Sequence, residues 1–224
     1  MVSARPSVGI LLVLCCAPAF FGLIEKGLAE ALLFGFLSGG LIATSIVVHE
    51  VGHLFFCRFA NGVEPRVILL NGIGGIAVTE GQYSDGKSAV IFALGGPLFS
   101  LCCGALFTAG WLMTSGGISL ALGFAALANA ALLLTNLLPL APTDGYMIAR
   151  GLFWQHYGDR RRGEVQALIL GNIVLSFIGI GVAFLLYLSP LIGGLVLALT
   201  GYFAIQHFLF ARREARVEEA STST

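Results

Sequence analysis

Charge is what this chain has least of. Only 11% of its 224 residues are charged, and 12 basic residues balance 12 acidic ones. A net charge of zero excludes the basic footprint of a nucleic-acid binder. Histidine is also sparse, four in all, which excludes the many-histidine sites of di-iron membrane oxygenases. Cysteine is odd in number (Cys15, Cys16, Cys57, Cys102, Cys103) and forms no C-x-x-C pair. That removes a thiolate zinc site and a disulfide framework, and leaves the thiols as small, buried apolar side chains. No low-complexity tract or repeat period is present, so a solenoid is excluded.

What is abundant is apolar. Hydrophobic residues make up 57% of the chain, in runs long enough to cross a bilayer. The runs predict an all-α polytopic membrane protein of about six spans, at 8–24, 31–59, 88–113, 118–138, 165–188 and 190–209. Ala17-Pro18-Ala19 also resembles a signal-peptide cleavage site, but the apolar run continues past it and favours a retained helix. Between the second and third spans, turn residues Asn61-Gly62 and Glu64-Pro65 precede two β-branched runs, Val67–Leu70 and Ile76–Thr79. They predict a small β-hairpin whose edge could pair with an extended peptide. An amphipathic connector, 146–163, follows the fourth span, and residues 214–224 form a polar tail expected to fray.

Six spans place both termini on one side. Arg5, Arg58, Arg66, Lys87, Arg150, Arg160, Arg161, Arg162, Arg212, Arg213 and Arg216 fall on that side, and Lys26 opposite. The positive-inside rule makes it the cytoplasm.

Against that background one stretch stands out: His49-Glu50-Val51-Gly52-His53, in a run otherwise uncharged from Ala31. Ionisable groups at membrane depth are costly, so three together need a shared reason. On a helix, His49 and His53 share one face a turn apart and can bind one Zn²⁺, with Glu50 beside them to deprotonate a water. From His49 to Arg58 is roughly 14 Å of helix at about 1.5 Å per residue, which predicts a site inside the bilayer. A catalytic zinc takes a third protein ligand. Asp144 follows a helix broken by Pro139 and Pro142, and by spacing alone reads as a turn residue of Asp144-Gly145 sooner than as a ligand. His156 and His207 read as surface or interfacial histidines.

H-E-V-G-H, then L-L-N-G-I-G-G, G-G-P-L and N-L-L-P-L-A-P-T-D-G, in this order over about residues 40–150, resemble the site-2 protease family of intramembrane zinc metalloproteases. The resemblance implies a single protease domain over 1–213 in the minimal six-helix form, without an inserted PDZ or appended CBS domain. It implies that His49, His53 and Asp144 hold one Zn²⁺, that Glu50 is the general base, and that Asn136 orients substrate or stabilises the oxyanion. The substrate would be a membrane-anchored protein already cut by another protease, cleaved in or near its span. Tyr146 and Met147 depart from the pattern, since many members carry a second glycine and then a basic residue there. Two other classes stay open. A membrane zincin cutting soluble proteins would take a glutamate ligand, for which Glu164 is the candidate. A metal transporter would need a polar path through the bilayer that four histidines do not trace.

Overall fold

The computed structural model describes residues 2–4, 27–70 and 75–222, with side-chain surroundings for 27–70 and 75–216. The expected first span, 8–24, lies outside the described residues. Among the described residues three strands and six helices follow in order: β1 (Val2–Ala4), α1 (Leu28–Cys57), β2 (Val63–Leu70), β3 (Gly75–Gly81), α2 (Gly86–Met113), α3 (Gly116–Leu137), α4 (Asp144–Tyr157), α5 (Arg160–Leu188) and α6 (Pro190–Thr222). Among the described residues, α1, α2, α3, α5 and α6 are long and apolar enough to cross a membrane. Leu33 and Phe36 are 71% exposed and Tyr187 is 86% exposed. Side chains of this kind need lipid around them, and the protein is an integral, multi-pass membrane protein.

The chain groups into two compact units, residues 1–84 with 91–135, and residues 85–90 with 136–224. In the first, β2 and β3 form the expected antiparallel hairpin, each longer than its apolar run, with an irregularity between Pro65 and Val67. Proline cannot donate to a ladder, which accounts for the break there. A third strand was not foreseen: β1 pairs in parallel with β2, Val2 opposite Ile68. Helices α1 and α2 approach so closely that a Cβ on Gly52 would lie 2.4 Å from the Gly95 carbonyl oxygen, and one on Gly95 2.3 Å from that of Gly52. Small residues permit such contact in a bilayer, where packing replaces the hydrophobic effect between helices. Helix α3 is tied to α1 by Asn129, whose Nδ2 donates to Ser45 Oγ at 2.9 Å.

The second unit is built from α4, α5 and α6. Thr143 caps α4, accepting from the Tyr146 amide, and Gly158 ends it in the left-handed conformation at φ 66°. The next helix starts at Arg160, so α4 and α5 are antiparallel neighbours joined across a buried Arg150–Glu164 ion pair at 3.6 Å. Ala141, Tyr146, Ala149 and Ala167 form the buried core, with Phe210 of α6 against it. Two expectations are corrected here. The connector 146–163 is mostly the partly buried helix α4 and the first turn of α5, because Thr143 and Asp159 supply helix caps. The tail does not fray at residue 214, since α6 runs on to Thr222. A third correction concerns the thiols. Cys57 is buried, but Cys102 is exposed and Cys103 half-buried, as thiols on an outward face of a span can be.

Candidate metal centre

His49, Glu50 and His53 all lie on α1 and all are buried, at 4%, 8% and 3% exposure. The four-residue spacing brings the imidazoles together as expected: ring centroids are 5.0 Å apart and nearly perpendicular, at 81°. Their ligating atoms lie within 4.8 Å of one another.

Helix α2 orients them. His53 Nδ1 is 2.9 Å from the carbonyl oxygen of Phe92 and 3.3 Å from the amide nitrogen of Gly96. The Gly96 amide also points at this nitrogen, but Nδ1 cannot both accept from it and donate to Phe92; the shorter contact is to a carbonyl, which only accepts, so Nδ1 carries the proton and the lone pair is on Nε2. The His53 ring also stacks on the Phe92 ring at 5.0 Å. His49 Nδ1 sits 2.8 Å from Ser100 Oγ, which can accept the same kind of bond. Two imidazoles held in this way present Nε2 lone pairs, the form a metal requires.

Gly96 lies between those nitrogens. A Cβ built there would be 2.3 Å from His53 Nε2 and 2.5 Å from His49 Nε2. Both Nε2 atoms thus lie against Gly96, the one residue type that leaves the two rings room there. Two nitrogen donors of the right tautomer brought together in this way suit a zinc ion. Glu50 faces β3, where a Cβ on Gly75 would lie 2.4 Å from Glu50 Cγ. The strand thus begins directly over the carboxylate.

Asp144 and Asn136 belong to the other unit. Asp144 is the first residue of α4, and Asn136 is near the end of α3. The Asp144-Gly145 step is held tightly, since a Cβ on Gly145 would lie 2.3 Å from the Leu137 carbonyl and 2.4 Å from that of Leu138. Tyr146 is buried at 1% exposure and packs edge-on to Phe210 at 5.2 Å. Burial pushes its phenol well above the ordinary range, the Glu164 charge adding to this, so it stays neutral. Glu164, the alternative glutamate ligand, is committed to Arg150 instead. His156 is exposed, as expected. His207 is not interfacial but buried at 3% exposure, a correction taken up below.

No protein-family model matches the chain. It is 33% identical over 204 residues to Rip3 of Mycobacterium tuberculosis and 31% identical over 196 residues to sll0528 of Synechocystis sp., each named a "putative zinc metalloprotease". The matches cover 87% and 84% of this chain, and 49% and 50% of those relatives. The chain thus spans about half the length of the curated relatives it matches. Its fold matches the solved "Site-2 Protease from Methanocaldococcus jannaschii" with a TM-score of 0.57 and 24% identity, covering 92% of this chain and 89% of that one. The fold is that of a site-2 protease. Zinc is the metal that its relatives' names give, and the histidine pair suits it.

The residues that sequence reasoning missed at this site are Phe92 and Ser100. The signal was there. Phe92, Gly96 and Ser100 recur every four residues, one face of α2, just as His49 and His53 share one face of α1. Replacing Ser100 by alanine should weaken zinc binding roughly tenfold, the usual effect of removing a ligand's orienting partner. Competition against a chelator measures this, and unchanged affinity would remove the hydroxyl from the site.

Proposed function

We propose that the protein is an intramembrane zinc metalloprotease that cuts a membrane-anchored protein in or near its transmembrane segment. The observation that carries the reading is the pair of histidines pinned through Nδ1, with their Nε2 atoms together against Gly96. On this reading His49 and His53 hold the ion, and Asp144 is the third ligand, on the strength of its place in N-L-L-P-L-A-P-T-D-G. A zinc ion there would supply a Lewis acid that polarises a carbonyl and acidifies a water.

The chain's own groups do the rest. Glu50 takes the proton from the attacking water and returns it to the leaving amide nitrogen. Its burial at the start of β3 keeps it from bulk solvent, so the proton is delivered locally. Asn136 donates to the substrate backbone or to the developing oxyanion. A helical substrate must unwind before its carbonyl can be attacked, and the hairpin edge offers the opened strand main-chain partners. The termini are cytoplasmic on the charge distribution, and the substrate arrives after a first cut by another protease.

The test is the zinc content of the detergent-purified protein. Wild type should carry one zinc per chain. Asp144→Ala should lose it, or bind it with a deficit larger than the roughly 10–100-fold that loss of an orienting residue costs. Zinc retained at wild-type affinity in the variant would remove Asp144 from the ligand set.

A further inference from the structure

The Asp144 loop is held from behind by a histidine. Residues 138–143 are not helical, and Pro139 and Pro142 bring no amide hydrogens. Two amides lie between the prolines, and both are buried: Leu140 is 1% exposed and Ala141 0%. A buried amide needs an acceptor. Leu140 finds one within the loop, donating to the Leu138 carbonyl at 2.8 Å. Ala141 does not. Its amide donates instead to Nδ1 of His207, at 3.0 Å, on helix α6.

The ring fits a cut-out made for it. On α5, a Cβ at Gly171 would lie 2.5 Å from His207 Cε1, 3.0 Å from its Nε2 and 2.7 Å from the Pro139 carbonyl oxygen. The imidazole is therefore wedged between α5 and the turn. From Ala141 the restraint passes on quickly. Thr143 donates its amide to the Leu140 carbonyl at 2.9 Å and its hydroxyl to the Leu138 carbonyl, and its hydroxyl oxygen accepts from the Tyr146 amide at 3.4 Å. Asp144 is the next residue, at the helix start that Thr143 caps.

We propose that His207 is a positioning residue for Asp144. By accepting from Ala141, it fixes the Pro139–Pro142 turn and hence where α4 begins and how its first carboxylate is presented. The proposal rests on Asp144 being a metal ligand. His207 touches neither substrate nor metal; it acts through the turn.

Cobalt titrated into the detergent-purified full chain, followed by its visible absorption, tests this without a substrate. Asparagine can place an acceptor near the Nδ1 position, whereas glutamine reaches towards Nε2 and leucine offers none. His207→Asn should give the wild-type spectrum and half-saturation within about threefold. His207→Gln and His207→Leu should alter the band pattern and weaken binding about tenfold or more. If His207→Leu fails to fold, the Asn and Gln pair decides. Binding and spectrum unchanged in His207→Gln or in a folded His207→Leu would overturn the proposal, and so would a His207→Asn as impaired as His207→Gln. Asp144→Ala is run alongside. If that variant binds cobalt as wild type does, the ligand reading fails; if it is impaired while every His207 variant is normal, only the positioning role fails.

Discussion

Gly96→Ala will strip the protein of zinc and leave it folded. Alanine is the better helix former by about 1 kcal/mol, so the substitution favours α2 locally. The added methyl, however, would stand 2.3 Å from His53 Nε2, 2.5 Å from His49 Nε2 and 2.7 Å from His49 Cε1. Those are side-chain atoms, and side chains can swing aside at low cost. Swinging aside is what destroys the site, because both rings must leave the orientation fixed by Phe92 and Ser100. The damage therefore falls on metal binding rather than on folding. Gly40→Ala, also on a helix but with nothing within 4 Å of the new methyl, is the control. Zinc per chain and thermal midpoint, read for both variants with and without a chelator, separate the two effects. A Gly96→Ala protein holding one zinc at wild-type affinity would show that the ring positions against Gly96 are not needed to hold the ion.

The second large effect is chemical. Glu50→Gln should keep zinc and lose cleavage, by roughly 10³-fold, within the range by which a positioned acid–base group accelerates a reaction. Glutamine preserves size and hydrogen-bonding reach under β3, where there is little space for anything bulkier. What it cannot do is accept a proton and give it back. The comparison is made on any membrane-anchored substrate that wild type cuts, with product formation followed over time. Equal zinc content in the two proteins removes metal loss as the cause. Hydrolysis retained at near wild-type rate would pass the base role to another group.

Much was legible before any fold was known, and the reason is periodicity. His49 and His53 at four-residue spacing had to share a helix face, and a run of membrane length around them made their polarity meaningful. The five described spans and the hairpin follow from equally local signals, apolar length and β-branched runs between turns. Helix ends were less visible, because caps such as Thr143 and Asp159 extend helices past the apolar pattern. The polar end of α6 went unread for a related reason, since hydropathy marks where lipid ends and not where a helix does.

Partners across the chain left no more than a spacing to read. Nothing near His53 in sequence says that the Phe92 carbonyl sets its tautomer, and nothing near His49 points to Ser100. His207 read as an interfacial residue because its neighbours are apolar and it lies near the end of a span. Its partner is an amide orphaned by two prolines 66 positions away. Local residue order settles which side chains share a helix face. Which buried donor is left for a distant ring to satisfy depends on how the helices pack, and packing is a property of the folded chain.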